Sequence, residues 1–368
     1  YLFGWDWETT FYRAMVLLVV ASPCALVASI MPATLAAISN GARHGILFKG
    51  GIHLENFSAL KLLAVDKTGT LTEGRPRVTD VFVREDLDER AMIQTLASIE
   101  SQSNHPLAQA IVRYAKEQNI DLKPNIDIED IPGSGLKAMI DNETYLVGKP
   151  DFVNREEAFQ FANGLATKLA EEGKTVIFMR NNEGIIALVA MKDTVRKEAK
   201  EAIQSLKELG IHITMLTGDN EKTAKAISTE AKVDEYIAEC LPETKTEYIK
   251  EYLKKYKYVG MVGDGINDAP ALATSTVGIA MGGGTDVAME TADVVLMKND
   301  LSKIAYSIKL GRKMQRIVKQ NIIFSLSVIV LLICSNFLEI IDLPLGVIGH
   351  EGSTILVILN GLRMLRSV

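Results

Sequence analysis

The sequence predicts an α/β chain in which a doubly wound parallel sheet, interrupted by an inserted α+β domain, lies between membrane-spanning α-helices. Two observations support this prediction. Residues 14–42 and 320–338 contain no charged side chain, and runs of that length can cross a bilayer. The residues between them are rich in Lys, Glu and Asp and alternate short apolar strands with helices, the order expected of a parallel sheet.

Composition excludes two classes of protein. The 368 residues carry 40 Lys and Arg against 46 Asp and Glu, a net charge of −6, whereas a nucleic-acid-binding protein normally presents a basic surface. The three cysteines, Cys24, Cys240 and Cys334, are too few for a disulfide scaffold, and two of them lie in the apolar runs. We therefore expect a membrane protein with no nucleic-acid partner.

Three membrane-spanning segments are predicted. The first apolar run contains Pro23 and Pro32, and breaks of this kind are tolerated where neighbours or a polar cavity satisfy the freed carbonyl groups. Residues 317–341 and 343–362 form a hairpin around a turn at Asp342 and Pro344. Basic residues flank all three spans on one side, so the positive-inside rule predicts a multi-pass cell-membrane protein in contact with lipid, with cytoplasmic soluble domains.

Three predicted strands in the soluble part end at polar residues. Residues 60–65 precede Asp66, residues 211–216 precede Thr217, and residues 259–262 precede Gly263 and Asp264. Because ligands of a doubly wound sheet bind at the carboxyl ends of its strands, these ends predict the functional site. The predicted domain boundaries are as follows: a membrane helix and stalk at 1–57, the parallel-sheet domain at 58–78 and 181–311, the inserted domain at 79–180, and a membrane helix pair at 312–368.

The segment from Asp66 to Thr72, Asp-Lys-Thr-Gly-Thr-Leu-Thr, is the most specific motif. A carboxylate at a strand end can attack phosphorus while the amides of a tight glycine-containing loop hold the phosphate oxygens. An isolated aspartate before a glycine more often caps a turn, but the full heptad resembles the phosphorylation motif of P-type ATPases. Residues 217–219 and 263–270 resemble the two other motifs of that family's haloacid-dehalogenase-like phosphorylation domain.

The resemblance implies an enzyme that uses ATP and Mg²⁺ and is phosphorylated on Asp66. It assigns the catalytic positions Asp66, Lys67, Thr68, Thr217, Gly218, Asp219, Lys245 and Asn267. It assigns Mg²⁺ to Asp66, the carbonyl of Thr68, Asp264 and Asp268, oxygen ligands of the kind this ion prefers. Thr68 stands where related phosphatases usually carry a second aspartate that acts as acid and base, so an acylphosphate should persist.

The inserted domain resembles the nucleotide-binding domain of heavy-metal P-type ATPases, in which a glutamate, a histidine and a Gly-x-Gly loop contact ATP. The matching residues are Glu100, His105, Gly133 and Gly135. Taken alone, a histidine before a proline would be the start of a helix, since proline suits the first helical position. The family often has an asparagine where this chain has Lys149 after Gly148, and that contact is left unassigned.

The membrane segments contain Ser-Pro-Cys at 22–24 and His-Glu-Gly-Ser-Thr at 350–354. They resemble the heavy-metal P-type ATPases with Ser-Pro-Cys and His-Glu-Gly-Gly-Thr, a subgroup associated with cobalt, zinc or iron(II) export. The resemblance assigns the transported ion to Ser22, Cys24, His350, Glu351 and Thr354. One thiolate with imidazole and carboxylate suits Co²⁺, Zn²⁺ or Fe²⁺ better than Cu⁺. The alternative is that His350 and Glu351 lie near the outer interface.

The leading interpretation is ATP-driven export of a divalent transition metal. A membrane-tethered phosphatase of the same superfamily and a non-enzymatic metal-binding membrane protein are the alternatives. The family's pumps also contain further membrane helices and an actuator domain with a Thr-Gly-Glu motif, which this sequence lacks. We therefore expect the C-terminal portion of a pump, whose partner is the missing N-terminal half and which alone transports no metal.

Overall fold

A computed structural model describes residues 5–103, 105–124, 126–131, 134–219 and 221–366. The chain forms two compact units. The first consists of Tyr1–Leu63, Glu208–Ile211 and Tyr248–Val368, and the second of Ala64–Lys207 and His212–Glu247.

The helices and strands alternate through most of the chain. The α-helices are α1 (Trp7–Val20), α2 (Cys24–Ala28), α3 (Met31–Arg43), α4 (Gly51–Ala59), α5 (Glu89–Glu100), α6 (Pro106–Glu117), α7 (Pro150–Val153), α8 (Arg155–Gln160), α9 (Leu165–Glu171), α10 (Lys197–Glu208), α11 (Glu221–Ala231), α12 (Pro242–Tyr256), α13 (Ala269–Thr274), α14 (Asp286–Thr291), α15 (Ser302–Phe337) and α16 (Leu343–Gly361). The strands are β1 (Ile46–Phe48), β2 (Leu62–Asp66), β3 (Arg77–Val83), β4 (Asp127–Ile131), β5 (Gly135–Ile140), β6 (Glu143–Gly148), β7 (Thr175–Asn181), β8 (Gly184–Lys192), β9 (His212–Leu216), β10 (Glu235–Ile237), β11 (Val259–Gly263), β12 (Val277–Met281) and β13 (Val294–Leu296).

The first unit contains the membrane helices. Three helical segments of the described chain are long and apolar enough to cross a membrane: Trp7–Arg43, Ser302–Phe337 and Leu343–Leu365. The first is interrupted between α1 and α2 at Pro23 and again before α3, whose first turn contains Pro32, as predicted. Helix α15 begins before the predicted span and has 36 residues. At about 1.5 Å per residue it exceeds the bilayer thickness, so its charged N-terminal part extends into the cytoplasm.

The soluble part of the first unit is built on parallel strands. β13, β12 and β11 pair in parallel in that order, and β1 adds to β13 in the antiparallel direction. The start of β2 lies beside β11, where a Cβ added to Gly260 would be 2.8 Å from Cδ1 of Leu63. Helices follow β11 and β12, which gives the predicted strand–helix alternation of an α/β fold.

The second unit contains the end of β2, which is followed in the sheet by β9 and then by the parallel strand β10. It also contains the inserted domain, an antiparallel sheet with the order β3-β8-β7-β6-β5-β4. That sheet extends past the predicted end at residue 180, because β8 pairs with both β3 and β7. The sheet includes β8 because all but the last residue of this strand are buried, as is typical of a central strand.

Both faces of the inserted sheet are covered by helices. Met179 packs with residues of α5 and α6, including Leu96 and Ile111. Its neighbour Phe178 packs on the other face with α7–α9 residues, including Leu169. The inserted domain is therefore α+β, as predicted, with α5 and α6 on one face of the sheet and the short helices α7–α9 on the other.

Candidate functional site

The loop after β2 is shaped to hold an anion. All five residues of β2 are buried, and Asp66 at its end is 7% exposed. Thr68 is extended, and Gly69 has φ 68° and ψ −14°, a left-handed conformation that favours glycine. The chain therefore turns sharply after the carboxylate, and backbone amides of such a turn can bind phosphate oxygens.

Lys245 forms a buried ion pair with Asp66. Its Nζ lies 2.5 Å from Oδ1 of Asp66, and the two side chains are 8% and 10% exposed. Helix α12 presents Lys245 from its first turn, which starts at Pro242. Because a buried carboxylate without a partner is strongly unfavourable, the ammonium group of Lys245 offsets part of the cost of burying Asp66.

The end of β9 supplies the second predicted motif, which the fold brings to the same loop. Nζ of Lys67 lies 2.6 Å from Oδ2 of Asp219. The Asp219 amide donates to the hydroxyl of Thr217, whose own amide donates to the carbonyl of Ile237 in β10. The predicted meeting of the Asp66 and Thr217 strand ends is therefore observed within the second unit.

Two residues that the sequence did not single out brace this loop. Arg196 donates from Nε to the carbonyl of Thr72 and from Nη2 to the carbonyl of Gly69, at 3.0 and 3.2 Å. The Thr72 hydroxyl donates to Oδ2 of Asp193 at 2.5 Å. Burial raises the pKa of Asp193, while the bond from Thr72 and the charge of Lys67 oppose that rise. The sequence feature that could have identified them is an Asp and an Arg three residues apart, Asp193 and Arg196, directly after strand β8.

The third motif lies in the first unit, directly after β11. Asp268 is 2% exposed, and its Oδ2 accepts a hydrogen bond from the amide of Gly265. The carbonyl of the half-buried Asp264 accepts from the amide of Thr285, and Asn267 is exposed. A Cβ on Gly263 would be 2.6 Å from Asp268, so only glycine fits there. Buried carboxylate oxygens suit a hard cation such as Mg²⁺.

A cavity of about 310 Å³ opens in the inserted domain, and Glu100, His105 and Gly135 all line it. Gly133 lies outside the described residues. Gly135 is opposite Gly148 in the β5–β6 pairing. A Cβ on Gly135 would be 2.1 Å from the carbonyl of Val147, and one on Gly148 would be 2.5 Å from that of Ser134. Gly148 and Lys149, whose contact the sequence left unassigned, both line this cavity.

A second cavity, of about 420 Å³, borders both the loop after β2 and the inserted domain. Lys67, Thr68 and Asp219 line it from one side and His105 and Thr175 from the other. His105 and Thr175 line the first cavity as well. The two shared residues thus connect the first cavity with the one that reaches the loop after β2.

His105 also has a structural role. It is the N-cap of α6, and its Nδ1 accepts a hydrogen bond from the amide of Leu107 at 3.2 Å. Capping of this kind satisfies one of the free amides at a helix start. Because Nδ1 is the acceptor, the neutral ring carries its proton on Nε2, and that N–H remains available to a ligand.

Glu100 is a buried carboxyl group in the wall of the first cavity, 6% exposed. Burial, reinforced by the charge of Asp130, raises its pKa to about 7. At neutral pH a substantial fraction of Glu100 is therefore uncharged, and in that form it donates a hydrogen bond.

The membrane residues occupy contrasting environments. The side chains of Ser22 and Cys24 are 3.0 Å apart, and Cys24 and Glu351 are exposed. His350 is 2% exposed, and neither of its ring nitrogens has a hydrogen-bond partner among the described residues. The carbonyl of His350 accepts from the Thr354 hydroxyl. The ligand atoms of Cys24, His350 and Glu351 do not all lie within 4.8 Å of one another.

A buried hydrogen-bond network joins α2, α15 and α16 near these residues. Asn321 donates to the carbonyls of Ser29 and Val357 and accepts from the amide group of Asn360. Ser325 donates to the carbonyl of Ala25. Asn321 and Ser325 thereby satisfy carbonyls of the interrupted first span, at Ser29 and Ala25.

Comparison with known proteins gives consistent matches. A family model described as haloacid dehalogenase-like hydrolase matches residues 60–275. The chain is 53% identical over 363 residues to the zinc-transporting ATPase of Bacillus subtilis and 42% identical over 373 residues to the cadmium-transporting ATPase of Staphylococcus aureus. These alignments cover 99% of this chain but 57% and 51% of the relatives. The chain thus spans about half the length of the curated relatives it matches.

Two solved structures are also similar. The crystal structure of a zinc-transporting PIB-type ATPase in the E2.Pi state matches with a TM-score of 0.90 and 37% identity, covering 99% of this chain and 60% of that one. The catalytic domain of the CPx-ATPase CopB-B matches with a TM-score of 0.59 and 32% identity, covering 74% of this chain and 98% of that one.

The capping and ligand-binding roles of His105 can be separated by substitution. His105→Asn keeps a side chain that caps helices well but removes the ring. We expect the stability of the inserted domain to be unchanged and its affinity for ATP to fall about tenfold, the scale of one lost stacking contact. Calorimetric titration and chemical denaturation of the same sample measure both. An unchanged affinity would assign His105 to helix capping alone.

The raised pKa of Glu100 predicts a pH-dependent stability. A carboxyl group whose pKa is raised by folding destabilises the fold increasingly as pH rises from its unfolded value, 4.5, through its folded value, about 7. Glu100→Gln should therefore stabilise the inserted domain (77–192) by up to about 3 kcal/mol at pH 8 and hardly at all at pH 5. Denaturant unfolding of the variant and of the unsubstituted protein at pH 5 and pH 8 measures this difference. An equal change in the free energy of unfolding at the two pH values would contradict the prediction.

Proposed function

Because the chain belongs to the haloacid dehalogenase-like hydrolases and, within them, to the heavy-metal P-type ATPases, we propose that it serves ATP-driven export of a divalent transition metal through an aspartyl-phosphate. The observation that carries this proposal is the buried Asp66–Lys245 pair in the same unit as a cavity of about 310 Å³ that Glu100, His105 and Gly135 line. Zn²⁺ is the favoured ion, since the relatives named above include zinc transporters. Co²⁺ and Fe²⁺ remain candidates on ligand chemistry.

In the proposed reaction, a carboxylate oxygen of Asp66 attacks the terminal phosphorus of ATP. The bond from that phosphorus to the bridging oxygen breaks, ADP leaves, and an acylphosphate remains on Asp66. Lys245, 2.5 Å from Asp66, offsets negative charge on the transferred group, and Lys67 is held beside the loop by Asp219. Catalysis of phosphoryl transfer depends mostly on such positioning and charge.

Mg²⁺ fits the oxygen ligands that the resemblance assigns to it. These are Asp66, the carbonyl of Thr68, Asp264 and Asp268, with Asn267 nearby in sequence. When bound, the ion neutralises phosphate charge. The chain's own contribution is to keep these carboxylates at strand ends, as the burial of Asp66 and Asp268 supports.

The absence of a second carboxyl group in the motif favours a pump over a phosphatase. Position 68 is a threonine, which cannot act as a carboxylic acid–base. Asp219 and Asp193 contact the same loop but are hydrogen-bonded to Lys67 and to Thr72. The threonine at position 68 in place of a carboxylic acid–base fits an acylphosphate that persists long enough to be coupled to transport.

The nucleotide is proposed to bind with its adenine in the first cavity, between His105 and the Gly135–Gly148 wall. The glycine pair lets β5 and β6 approach each other closely at the wall of this cavity. Glu100 in its uncharged form and Nε2–H of His105 supply hydrogen-bond donors. The phosphates would then extend into the second cavity, which reaches Lys67 and Thr68.

The transported ion is proposed to bind Ser22, Cys24, His350, Glu351 and Thr354. The buried imidazole of His350, whose nitrogens have no hydrogen-bond partner among the described residues, supports this assignment. So does the contact between the Ser22 and Cys24 side chains, which are 3.0 Å apart and are both assigned to the ion. A thiolate, an imidazole and a carboxylate together form a set that suits Zn²⁺.

Substitution of the nucleophile tests the phosphorylation step. Asp66→Asn should abolish acid-stable, hydroxylamine-sensitive labelling of the 368-residue chain by terminally radiolabelled ATP, because the amide is not a nucleophile towards phosphorus. ATP binding to the inserted domain should be retained. Asp141→Asn, at a side chain 87% exposed, is the matched control and should label normally. Labelling of the Asp66 variant at the control level would refute the assignment.

Removal of a membrane ligand tests the ion site. In a full-length protein that contains this chain, Glu351→Gln should lower Zn²⁺-stimulated ATP hydrolysis at least about tenfold, as losses in metal-site shells commonly do. Glu339→Gln removes the same charge from an exposed position between α15 and α16 and serves as the control. Equal activities of the two variants would contradict the assignment of Glu351 as a ligand of the transported ion.

A further inference from the structure

A groove of about 470 Å³ lies in the first unit, where α15 meets the turn Leu362–Leu365 after α16. Among the described residues that line it, five are basic and none is acidic: Lys309, Arg312, Lys313, Arg316 and Arg363. Neither the proposed reaction nor the proposed ion pathway uses these side chains. A concave cluster of like charges attracts an anion with several oxygens.

Two of the five side chains build the groove. Arg312 donates to the carbonyls of Ser58 and Leu209, which fixes α15 against neighbouring elements. Lys313 donates to the carbonyl of Arg366 at 3.0 Å, which holds the turn after α16, and with it Arg363, beside α15. The cluster is therefore assembled by specific bonds from two separate elements.

The other three side chains carry charge that the protein does not neutralise. Within the described part of the chain, Lys309, Arg316 and Arg363 lie within 4.0 Å of no carboxylate. Arg363 donates to the side-chain carbonyl of Asn360, which is uncharged. Guanidinium groups bind phosphate oxygens in pairs of hydrogen bonds, so an arginine at each side of the groove favours a phosphate group.

The groove lies at the cytoplasmic boundary of the membrane. The uncharged part of α15 starts at Gln320, which lines the groove together with Ile317. Three and four residues further along the same face of the helix, Ile323 and Phe324 are 57% and 39% exposed. A basic surface thus continues directly into an apolar one, and a ligand that matches both has a phosphate at one end and a hydrocarbon chain at the other.

We propose that this groove binds the phosphate of an anionic phospholipid from the cytoplasmic leaflet. Free phosphate offers the same oxygens, but it has no part that would use the apolar continuation at Ile323 and Phe324. Anionic lipids are concentrated where basic side chains flank the cytoplasmic ends of membrane helices. The lipid would join α15 to the turn after α16 at the membrane surface.

Spin-labelled lipids measure this selectivity directly. The 368-residue chain is reconstituted in phosphatidylcholine vesicles, and the association of labelled phosphatidylglycerol is compared with that of labelled phosphatidylcholine. We expect the unsubstituted chain to prefer phosphatidylglycerol. This preference should fall about fivefold in Arg316→Gln and, separately, about fivefold in Lys309→Gln. The conservative Arg316→Lys should keep most of it, and size-exclusion chromatography checks that each variant is folded.

Lys319→Gln is the matched control. Lys319 is also exposed on α15 and carries the same charge at the same boundary, but it does not line the groove. We expect the preference of the Lys319→Gln variant for phosphatidylglycerol to differ less than twofold from that of the unsubstituted chain. Equal losses in Arg316→Gln and Lys319→Gln would show diffuse attraction and overturn the site. Displacement of the labelled lipid by inorganic phosphate alone would identify the ligand as a free anion, which also overturns the proposal.

Discussion

The soluble part of the chain depends on one interaction, the buried ion pair between Asp66 and Lys245. A carboxylate that is removed from water loses several kcal/mol of solvation, and only a close, well-placed cation offsets that loss. Strand β2 must end where it does to bring Asp66 to the sheet edge, and α12 must begin at Pro242 to present Lys245 in its first turn. The architecture around the pair therefore serves to hold two opposite charges together out of solvent.

The same constraint explains the second layer of contacts. A loop that passes over a buried charge has few water molecules to satisfy its backbone, so its carbonyls need protein donors. Arg196 supplies two of these donors, to Gly69 and Thr72. Lys67 turns away from the buried pair to Asp219. The loop is thereby fixed on both sides, and such a fixed loop supplies the preorganised amides that the proposed phosphoryl transfer needs.

Sequence reasoning succeeded where a local pattern determines the structure. The strands that end at Asp66, Thr217 and Gly263, the proline breaks of the first span and the three membrane segments all follow from short-range signals, and the α/β fold class is confirmed. Contacts between residues far apart in the sequence could not be predicted from such local patterns. Lys245 is 179 residues from Asp66, and Arg196 is 127 residues from Gly69. The resemblance to the family pointed to Lys245, whereas no feature of the sequence pointed to Arg196. Gly148 became visible only through its pairing with Gly135.

The membrane half presents the same physical problem in a different form. His350 is buried among apolar helices, and among the described residues its two ring nitrogens have no hydrogen-bond partner. Each unsatisfied polar group in such surroundings costs about 1–3 kcal/mol. Asn321 in α15, by contrast, forms hydrogen bonds with Ser29, Val357 and Asn360. The contrast matters because a protein that satisfies Asn321 so completely could have done the same for His350. In the proposed pump, the transported ion is the partner of the His350 imidazole. Asp66 has its partner, Lys245, within the protein, whereas His350 would gain one only with the ion, and this difference suits a fixed catalytic centre and a transient transport site.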